Sequence, residues 1–311
     1  MLAGEVTEVR GRAMASGVHA ILVDAAPGAP AYLQARLGEL DRRWSRFNPD
    51  SELSRAMVAA GSRVAVSADT LTLLGAMLAA HDDTGGRYDP TMLRQVVDAG
   101  YAASIEDGAR HSITVDLPDP SRRLHEIRVD AAGGSVSFPP GLGVDPGGIG
   151  KGLAADLVVA ELLDAGTAGA LVSVGGDLYA AGTPPTDDGW RVQVEDPFDD
   201  TATVVEVVLD GGGVATSSTR SRRWSHRGST AHHVLDPATG TVARTDLATV
   251  TAMAGTGWQA EAHATAALLG GRRGAVATLV AAGCSGVVVD LEGGVQLTAD
   301  LAGAPVRGAA A

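Results

Sequence analysis

The sequence is poor in several residue types that mark specialised protein classes. Its 311 residues include one cysteine, Cys284, which excludes an internal disulfide framework and is typical of a reducing compartment. No apolar run approaches the ~18 residues of a membrane span, and the first residues lack the apolar segment of a signal peptide. We therefore expect a cytoplasmic protein without membrane insertion, in which Cys284 is a small core residue.

Positive charge is also scarce. The formal net charge is −13, and the densest basic cluster is the short group Arg220, Arg222 and Arg223. A chain of this charge repels a nucleic-acid backbone and an anionic membrane surface. The sequence therefore predicts neither as a partner.

What the chain does contain is typical of a globular α/β protein. Hydrophobic residues make up 45%, charged residues 20% and aromatic residues 4%, and there are 41 glycines. Apolar periodicity predicts helices over residues 30–45, 68–81, 153–164, 257–269 and 273–282. It predicts strands over residues 19–24, 112–117, 126–130, 134–138, 169–174, 190–194, 203–209, 231–235, 248–253, 286–290 and 295–298.

This order of elements predicts one mixed α/β (α+β) domain over residues 1–311. We find no internal repeat and no linker long enough to separate independent domains, so mixed sheets flanked by helices should form a single unit with two lobes. Residues from about 302 to 311 are expected to be frayed.

The most informative segment is the glycine-rich turn from Asp145 to Gly152, which precedes a predicted helix. Gly147 and Gly148 let backbone N–H groups approach an anion, the helix N-terminus adds favourable partial charge, and Lys151 can contact phosphate. A P-loop is excluded because it requires Gly where Asp145 stands and Ser or Thr where Gly152 stands. A dinucleotide fingerprint also fits poorly. A turn without a ligand remains the alternative.

A second segment places an acid and a hydroxyl on one helix face. Glu261 and Thr265 are four residues apart in the predicted helix over residues 257–269. Carboxylate and hydroxyl oxygens suit a hard cation such as Mg²⁺. The alternative is a solvated Glu beside a capping Thr, which the small apolar neighbours make less natural.

Three further features are weaker when each is taken alone. His233, at the end of a predicted strand and before an Asp-Pro turn, is a candidate general base or a structural histidine. The hydroxyls of residues 215–219, including Thr216 and Ser217, suggest a phosphate-contacting loop or an ordinary polar turn. Phe47 is a candidate for stacking on a ring or for the core, beside the end of one helix and a cap at Ser51 for the next.

Taken together and in this order, the segments resemble the ApbE family of FAD:protein FMN transferases. The matching pieces are SRFNPDSELSR (45–55), YDPTM (88–92), DPGGIGKGLAAD (145–156), ALVSVGGDLYAAG (170–182), VATSST (214–219), HHVLDPATG (232–240) and AEAHATAALLG (260–270). They cover most of the chain between residues 45 and 270.

The resemblance implies a two-lobed α/β fold with a central flavin cleft, and a magnesium-dependent transferase that attaches FMN to Ser or Thr of an acceptor protein and releases AMP. FAD would be the substrate and Mg²⁺ the cofactor. By this match Glu261, Thr265 and the Gly150 carbonyl would bind the metal, and His233 would help to deprotonate the acceptor, with Lys151 also acting in catalysis. The residues implied or predicted to line the flavin or diphosphate site are Asp145, Gly147, Gly148, Lys151, Asp177, Thr216, Ser217, Phe47 and Tyr88.

The chain departs from the family pattern at several positions. Glu261 stands where the family usually has Asp, and Ser217-Ser218-Thr219-Arg220 replaces the usual Ser-Gly-Asp-Tyr. The acceptor motif of the family, Asp-x-x-(Ser/Thr)-Gly-Ala-(Ser/Thr), is absent from the sequence, so the acceptor should be another protein. Two alternatives stay open: a Mg²⁺-dependent FAD pyrophosphatase, which yields FMN and AMP, and a non-catalytic flavin-binding protein.

Overall fold

The fold is known from a computed structural model, which describes residues 4–59, 61–104, 108–113, 123–226 and 228–304. The α-helices in these ranges are α1 (Ala29–Trp44), α2 (Glu52–Val58), α3 (Ala68–Asp83), α4 (Leu93–Asp98), α5 (Gly150–Asp164), α6 (Gly257–Leu269) and α7 (Gly271–Ala281). Short 3-10 turns lie at Pro90–Met92, Leu124–Glu126, Pro146–Gly148 and Ala299–Leu301. No helix among the described residues has both the length and the apolar character needed to cross a membrane.

The strands form one large sheet and several small ones. In chain order they are β1 (Val6–Ala13), β2 (Ser16–Val23), β3 (Val64–Ala65), β4 (Arg128–Asp130), β5 (Ser135–Ser137), β6 (Gly169–Val174), β7 (Asp177–Gly182), β8 (Trp190–Asp196), β9 (Asp199–Leu209), β10 (Gly212–Ser218), β11 (Arg223–His226), β12 (Ser229–His232), β13 (Leu235–Asp236), β14 (Thr241–Val242), β15 (Leu247–Ala254), β16 (Ser285–Asp290) and β17 (Val295–Leu297). The central sheet is antiparallel, in the order β1-β2-β6-β7-β10-β15-β16-β17.

The two faces of the central sheet are covered by different elements. Helices α1, α5, α6 and α7 pack on one face, where the core includes Leu37, Val158 and Leu268. The β8–β9 hairpin covers the other face through Trp190 and neighbouring valines. Because both faces are covered, strands such as β6 and β16 are nearly continuous apolar runs rather than alternating ones.

A smaller lobe, formed by α2, α3, α4 and the sheet β3-β5-β4, packs beside α1. A network of ion pairs links helices α1, α3 and α5 beside this lobe. The Arg36 guanidinium of α1 donates to Asp69 of α3 at 2.7 and 2.8 Å and to Glu161 of α5 at 2.8 Å, and its side chain is 10% exposed. The network holds three helices in a fixed relation beside the junction of the lobes.

Most predicted elements are present, with small shifts of their ends. Ser67 caps α3 by accepting from the Thr70 N–H at 3.4 Å, and Ser51 caps α2 by accepting from the Ser54 N–H at 3.0 Å. Helix α5 begins at Gly150, three residues earlier than predicted, because the glycine-rich turn passes directly into it. Cys284 is a free, buried thiol, as expected, and burial raises its pKa to about 11.

Some expectations were wrong or fall outside the described part. Residues 215–219, expected to be a loop, belong largely to β10, whose polar side chains are accommodated at the cleft. The strand predicted over residues 231–235 is split into β12 and β13. The strand predicted over 112–117 and the frayed end predicted over 302–311 lie mostly outside the described residues.

Candidate functional site

A cavity of about 450 Å³ opens between the smaller lobe and the helix-covered end of the central sheet. This volume is in the range of small-molecule sites. Every site residue predicted from the sequence lines it: Phe47, Tyr88, Asp145, Gly147, Gly148, Gly150, Lys151, Asp177, Thr216, Ser217, His233, Glu261 and Thr265. Segments far apart in the sequence therefore meet in one cleft.

The centre of the cleft is an ammonium group held between two acids. Lys151, the only lysine of the chain, donates to the Asp177 carboxylate and to Glu261 Oε1, the latter at 2.8 Å. Burial by itself lowers the pKa of Lys151, but the two carboxylates outweigh it and hold that pKa above its ordinary value. Burial raises the pKa of the Glu261 carboxyl, against the attraction of Lys151.

Two helices bring Lys151 and Glu261 together. Lys151 is in the first turn of α5 and Glu261 is one turn into α6, and the two helices meet at Gly152 and Gly257. A Cβ on Gly152 would lie 2.4 Å from the Gly257 carbonyl carbon and oxygen, so only glycine permits this approach. The Gly152 N–H donates to Glu261 Oε2 at 2.9 Å, which orients the carboxylate.

Hydroxyl groups lie beside the two acids. Ser217 of β10 and Thr265 of α6 are linked by a hydrogen bond of 2.7 Å between their hydroxyls. The Thr216 N–H donates to Asp177 Oδ1 at 3.3 Å, and its hydroxyl is 2.8 Å from that of Thr251. Glu261 and Thr265 do share a helix face, as their spacing predicted, and that face is turned to the cleft.

This donor set fits a magnesium ion. Asp177, Glu261, Ser217 and Thr265, which carry carboxylate and hydroxyl oxygens, all line the cleft, and oxygen ligands are the type that Mg²⁺ prefers. The single Lys151 ammonium balances only one of the two carboxylate charges.

His233 lies on the same cleft, whereas its neighbour His232 turns away to the Ala243 carbonyl, 3.2 Å from its Nε2. Burial, followed by the charges of Arg222 and Lys151, lowers the pKa of His233 to about 3. The imidazole is therefore neutral at physiological pH, and its Nδ1 has no hydrogen-bond partner within the protein.

The opposite wall consists of an arginine and two aromatic rings. The Arg46 guanidinium lies 4.1 Å from the Phe47 ring centroid and 4.9 Å from that of Tyr101, and its Nε is 3.2 Å from Asp145 Oδ2. Trp224 stacks behind Tyr101, with 5.5 Å between ring centroids, and is not part of the cleft lining. Phe47 is therefore a wall residue with partial exposure rather than a core residue.

Several buried polar atoms on the cleft residues have no hydrogen-bond partner within the protein. They are Trp44 Nε1, Arg46 Nη1, the Tyr88 hydroxyl, Asp89 Oδ2 and His233 Nδ1. Buried groups of this kind normally have partners, and leaving one unpaired costs about 1–3 kcal/mol. Their concentration in a single cavity indicates that a polar ligand completes the site.

Sequence reasoning missed Arg46, Asp89, Tyr101 and Arg222 as cleft residues. Arg46 and Asp89 lie inside segments already singled out, 45–55 and 88–92, so their position was the available signal. Arg222 was treated only as part of a short basic cluster. Tyr101 had no local signal, because only the packing of the smaller lobe places it on the wall.

The comparisons agree on the family. The model of the ApbE family matches residues 14–288. A FAD:protein FMN transferase of Rhodobacter capsulatus is 28% identical over 262 residues, which are 81% of this chain and 48% of that protein. One from Salmonella typhimurium is 35% identical over 123 residues, 39% of this chain and 35% of that protein. The matches thus span between a third and a half of these relatives' lengths.

Solved structures share the fold over almost the whole chain. The crystal structure of the ApbE protein of Thermotoga maritima has a TM-score of 0.81 at 24% identity and covers 96% of this chain and 98% of that one. The apo form of the Pseudomonas stutzeri flavinyl transferase ApbE has a TM-score of 0.78 at 25% identity and covers 95% of each. With the family model matching residues 14–288, the chain belongs to the ApbE family.

Proposed function

We propose that this protein is a FAD:protein FMN transferase, which cleaves the diphosphate of FAD and joins the FMN phosphate to a Ser or Thr hydroxyl of another protein. The observation that carries the proposal is the meeting of Lys151, Glu261, Thr265 and neutral His233 in one cleft. The names of the curated relatives agree with it.

The cleft offers separate surroundings for the two chemical parts of FAD. Lys151, Arg222 and the N-terminal ends of α5 and α6 supply positive charge for the diphosphate. Phe47, Tyr88 and Tyr101 supply flat apolar surface for a ring system. The unpartnered nitrogen of Arg46 and the Tyr88 hydroxyl can hydrogen-bond to polar atoms at the rim of such a ring.

In the proposed reaction the acceptor hydroxyl attacks the FMN phosphorus and AMP leaves. His233, whose unpartnered Nδ1 lies on a cleft residue, takes the proton of the attacking hydroxyl. Lys151, once released from the carboxylates, donates to a phosphate oxygen and holds the diphosphate in line. Asp145 fixes the Arg46 side chain through the 3.2 Å ion pair and so keeps the ring wall in place.

We assign magnesium to Glu261, Thr265 and the Gly150 carbonyl, with Asp177 adjacent. When bound, Mg²⁺ would neutralise the negative charge that grows on the diphosphate oxygens as AMP departs. The support in this chain is the set of oxygen donors and the presence of two buried carboxylates that share a single ammonium. Glu261 is longer than the usual Asp, and its second oxygen is already held by the Gly152 N–H.

We propose an acceptor with the motif Asp-x-x-(Ser/Thr)-Gly-Ala-(Ser/Thr), and a single catalytic domain in the cytoplasm. The one cysteine, free and buried, supports a reducing compartment. Neither nucleic acid nor membrane is proposed as a partner, because the net charge of −13 opposes both.

The test is a pair of incubations with FAD and Mg²⁺, one with an acceptor domain carrying the motif and one without it. Transfer predicts AMP release that depends on the acceptor, and a fluorescent acceptor band after denaturing electrophoresis that EDTA abolishes. Equal AMP release in both incubations would instead identify a FAD pyrophosphatase. Bound FAD without AMP in either incubation would leave a flavin-binding protein.

A further inference from the structure

A second possible metal site lies on the smaller lobe, outside the cleft lining. His81 is in the last turn of α3, Asp82 follows it, and His125 is in the 3-10 turn Leu124–Glu126. One ligand atom from each lies within 4.8 Å of the others, and among the described residues this is the only group of three or more His, Cys, Asp and Glu side chains so arranged. We call these three residues the histidine–aspartate cluster.

The distances within the cluster match those around a small metal ion. Asp82 Oδ1 is 3.3 Å from His81 Nδ1 and 3.2 Å from His125 Nε2. Tetrahedral bonds of 2.0–2.2 Å to nitrogen and oxygen place neighbouring ligand atoms about 3.4 Å apart. A single carboxylate oxygen therefore already stands at ligand spacing from both imidazoles.

The side chains are held but remain accessible. The His81 ring is 18% exposed, while Asp82 and His125 are 60% and 58% exposed. The two rings meet edge to face, 5.3 Å between centroids and 80° between planes, so their nitrogens converge without stacking. Gly86 has a positive φ of 76°, and its N–H donates to the His81 carbonyl at 2.8 Å. A Cβ added at Gly86 would lie 3.3 Å from His81 Nε2, so the backbone packs closely against this ring.

We propose that the histidine–aspartate cluster binds a transition-metal cation, zinc(II) in particular, with solvent at the fourth position. Two imidazoles and one carboxylate are a donor set that suits Zn²⁺ and differs from the oxygen donors of the cleft. A metal bound there would join the end of α3 to the turn Leu124–Glu126, and the chain leads from α3 to Arg87 and Tyr88 of the cleft wall.

The rival description is a cluster held by hydrogen bonds alone, with both imidazoles donating to Asp82. The two descriptions differ in what zinc does to the protein. A bound metal that is absent from the unfolded chain stabilises the fold in proportion to its occupancy. At zinc a hundredfold above its dissociation constant, the midpoint of thermal unfolding should rise by about 4 °C for a chain of this size.

The experiment measures Zn²⁺ binding calorimetrically and Co²⁺ binding by visible absorption, in excess Mg²⁺ so that the cleft is competed. The full-length protein should bind one zinc, show the absorption of a tetrahedral Co²⁺ site, and gain thermal stability that EDTA reverses. His125→Ala, at an exposed side chain, should lose all three. His19→Ala is the matched control, because His19 also pairs with a carboxylate, Glu8 at 2.8 Å, but has no second histidine there.

Two results would overturn the proposal. One is the absence of zinc binding and of any thermal shift in the unaltered protein, which would leave the hydrogen-bonded description. The other is zinc binding by His125→Ala equal to that of the unaltered protein, which would place the ion elsewhere. A Glu261→Gln variant that keeps the zinc-induced shift separates this site from the cleft.

Discussion

At the scale of single residues, the chemistry of the cleft depends on which charges the protein itself satisfies. Lys151 satisfies Asp177 and Glu261, while Nδ1 of His233 and one nitrogen of Arg46 have no protein partner. The two acids thus already share a cation, whereas the His233 and Arg46 nitrogens are available to a ligand. Under the proposed function, the two acids would hold the metal and His233 would act on the acceptor hydroxyl.

Replacing His233 with alanine should reduce FMN transfer by about 10²–10⁴-fold, the usual contribution of a general base. FAD binding, followed by quenching of flavin fluorescence, should change little. His232→Ala is the control, since the adjacent histidine faces the Ala243 carbonyl rather than the cleft. Equal loss of transfer in both variants would show that the effect is structural and not that of a base.

Replacing Glu261 with glutamine should reduce transfer by about 10²–10³-fold and raise the Mg²⁺ concentration needed for half-maximal rate, because one anionic oxygen ligand is lost. Glu261→Asp keeps the charge and should retain more activity than Glu261→Gln. The measurement is initial rate against Mg²⁺ concentration for the three proteins. Unchanged magnesium dependence in Glu261→Gln would refute the metal assignment.

The sequence predicted residues that the structure brings together in one cleft, but it did not predict how they are arranged there. Glu261 and Thr265 share a helix face through simple spacing, and the glycines before Lys151 signalled an anion-binding turn. Arg222 and Tyr101 could not be assigned in this way. Arg222 itself has a positive φ of 47°, and this turn conformation, which composition does not reveal, places it on the cleft.

At the scale of elements, the site depends on the contact between α5 and α6. The two helices hold each other reciprocally: the Gly152 N–H of α5 donates to Glu261 of α6, and the Gly257 and Trp258 N–H groups of α6 donate to Asp156 of α5 at 2.6 and 3.1 Å. Each helix thus supplies a carboxylate to the N-terminal end of the other, which is favourable for the helix dipole.

Gly152→Ala should destabilise the protein by at least about 2 kcal/mol, because its Cβ would meet the Gly257 backbone at 2.4 Å and force the helices apart. Chemical denaturation measures the change, and FAD binding should weaken with it. Gly75→Ala is the matched control, because this exposed glycine in α3 has no atom within 4 Å of an added Cβ. Alanine at this position should raise the free energy of unfolding by about 0.5–1 kcal/mol. Equal effects would mean that the contact is not tight.

Asp156 should make stability depend on pH. Burial raises its pKa to about 6, against the lowering effect of the two N–H groups, from an ordinary value of 3.8. The folded protein therefore holds this proton more tightly than the unfolded chain, and its contribution to stability falls as pH rises from about 4 to 6, by about 1.4 kcal/mol per pH unit.

The Asp156→Asn variant lacks that titration. Urea unfolding of both proteins across this pH range should show the stability of the original protein falling relative to the variant as pH increases. A stability difference that is constant with pH would contradict the shifted pKa.

Element boundaries were more predictable than element pairing. The helix over residues 257–269 and the strand over residues 169–174 were predicted to the residue, since both are strongly apolar and bounded by glycine or a cap. Strand β10 was taken as a loop because hydroxyl residues interrupt it. Its hydroxyl side chains are tolerated because Thr216 and Ser217 line the cleft. A strand that departs from the apolar pattern at a candidate site is an expected place for sequence-based prediction to fail.

At the scale of the whole molecule, an acidic protein surrounds a polar cleft that is lined by five basic and five acidic side chains. The net charge is −13, yet Lys151, Arg46 and Arg222 all line the cavity. The order of the central sheet, in which β2 pairs with β6 and β7 with β10, depends on contacts far apart in the sequence. Local patterns do not contain that information, whereas the family resemblance implied a cleft between two lobes.

The proposed function is that the cleft passes FMN from FAD to a hydroxyl of another protein. The most direct test is the intact mass of an acceptor domain after incubation with this protein, FAD and Mg²⁺, beside the same domain with its motif hydroxyl residue replaced by alanine. We predict that the first gains the mass of one phosphoester-linked FMN with one AMP released, and that the second gains nothing. Free FMN and AMP with an acceptor of unchanged mass would contradict transfer of FMN to the acceptor.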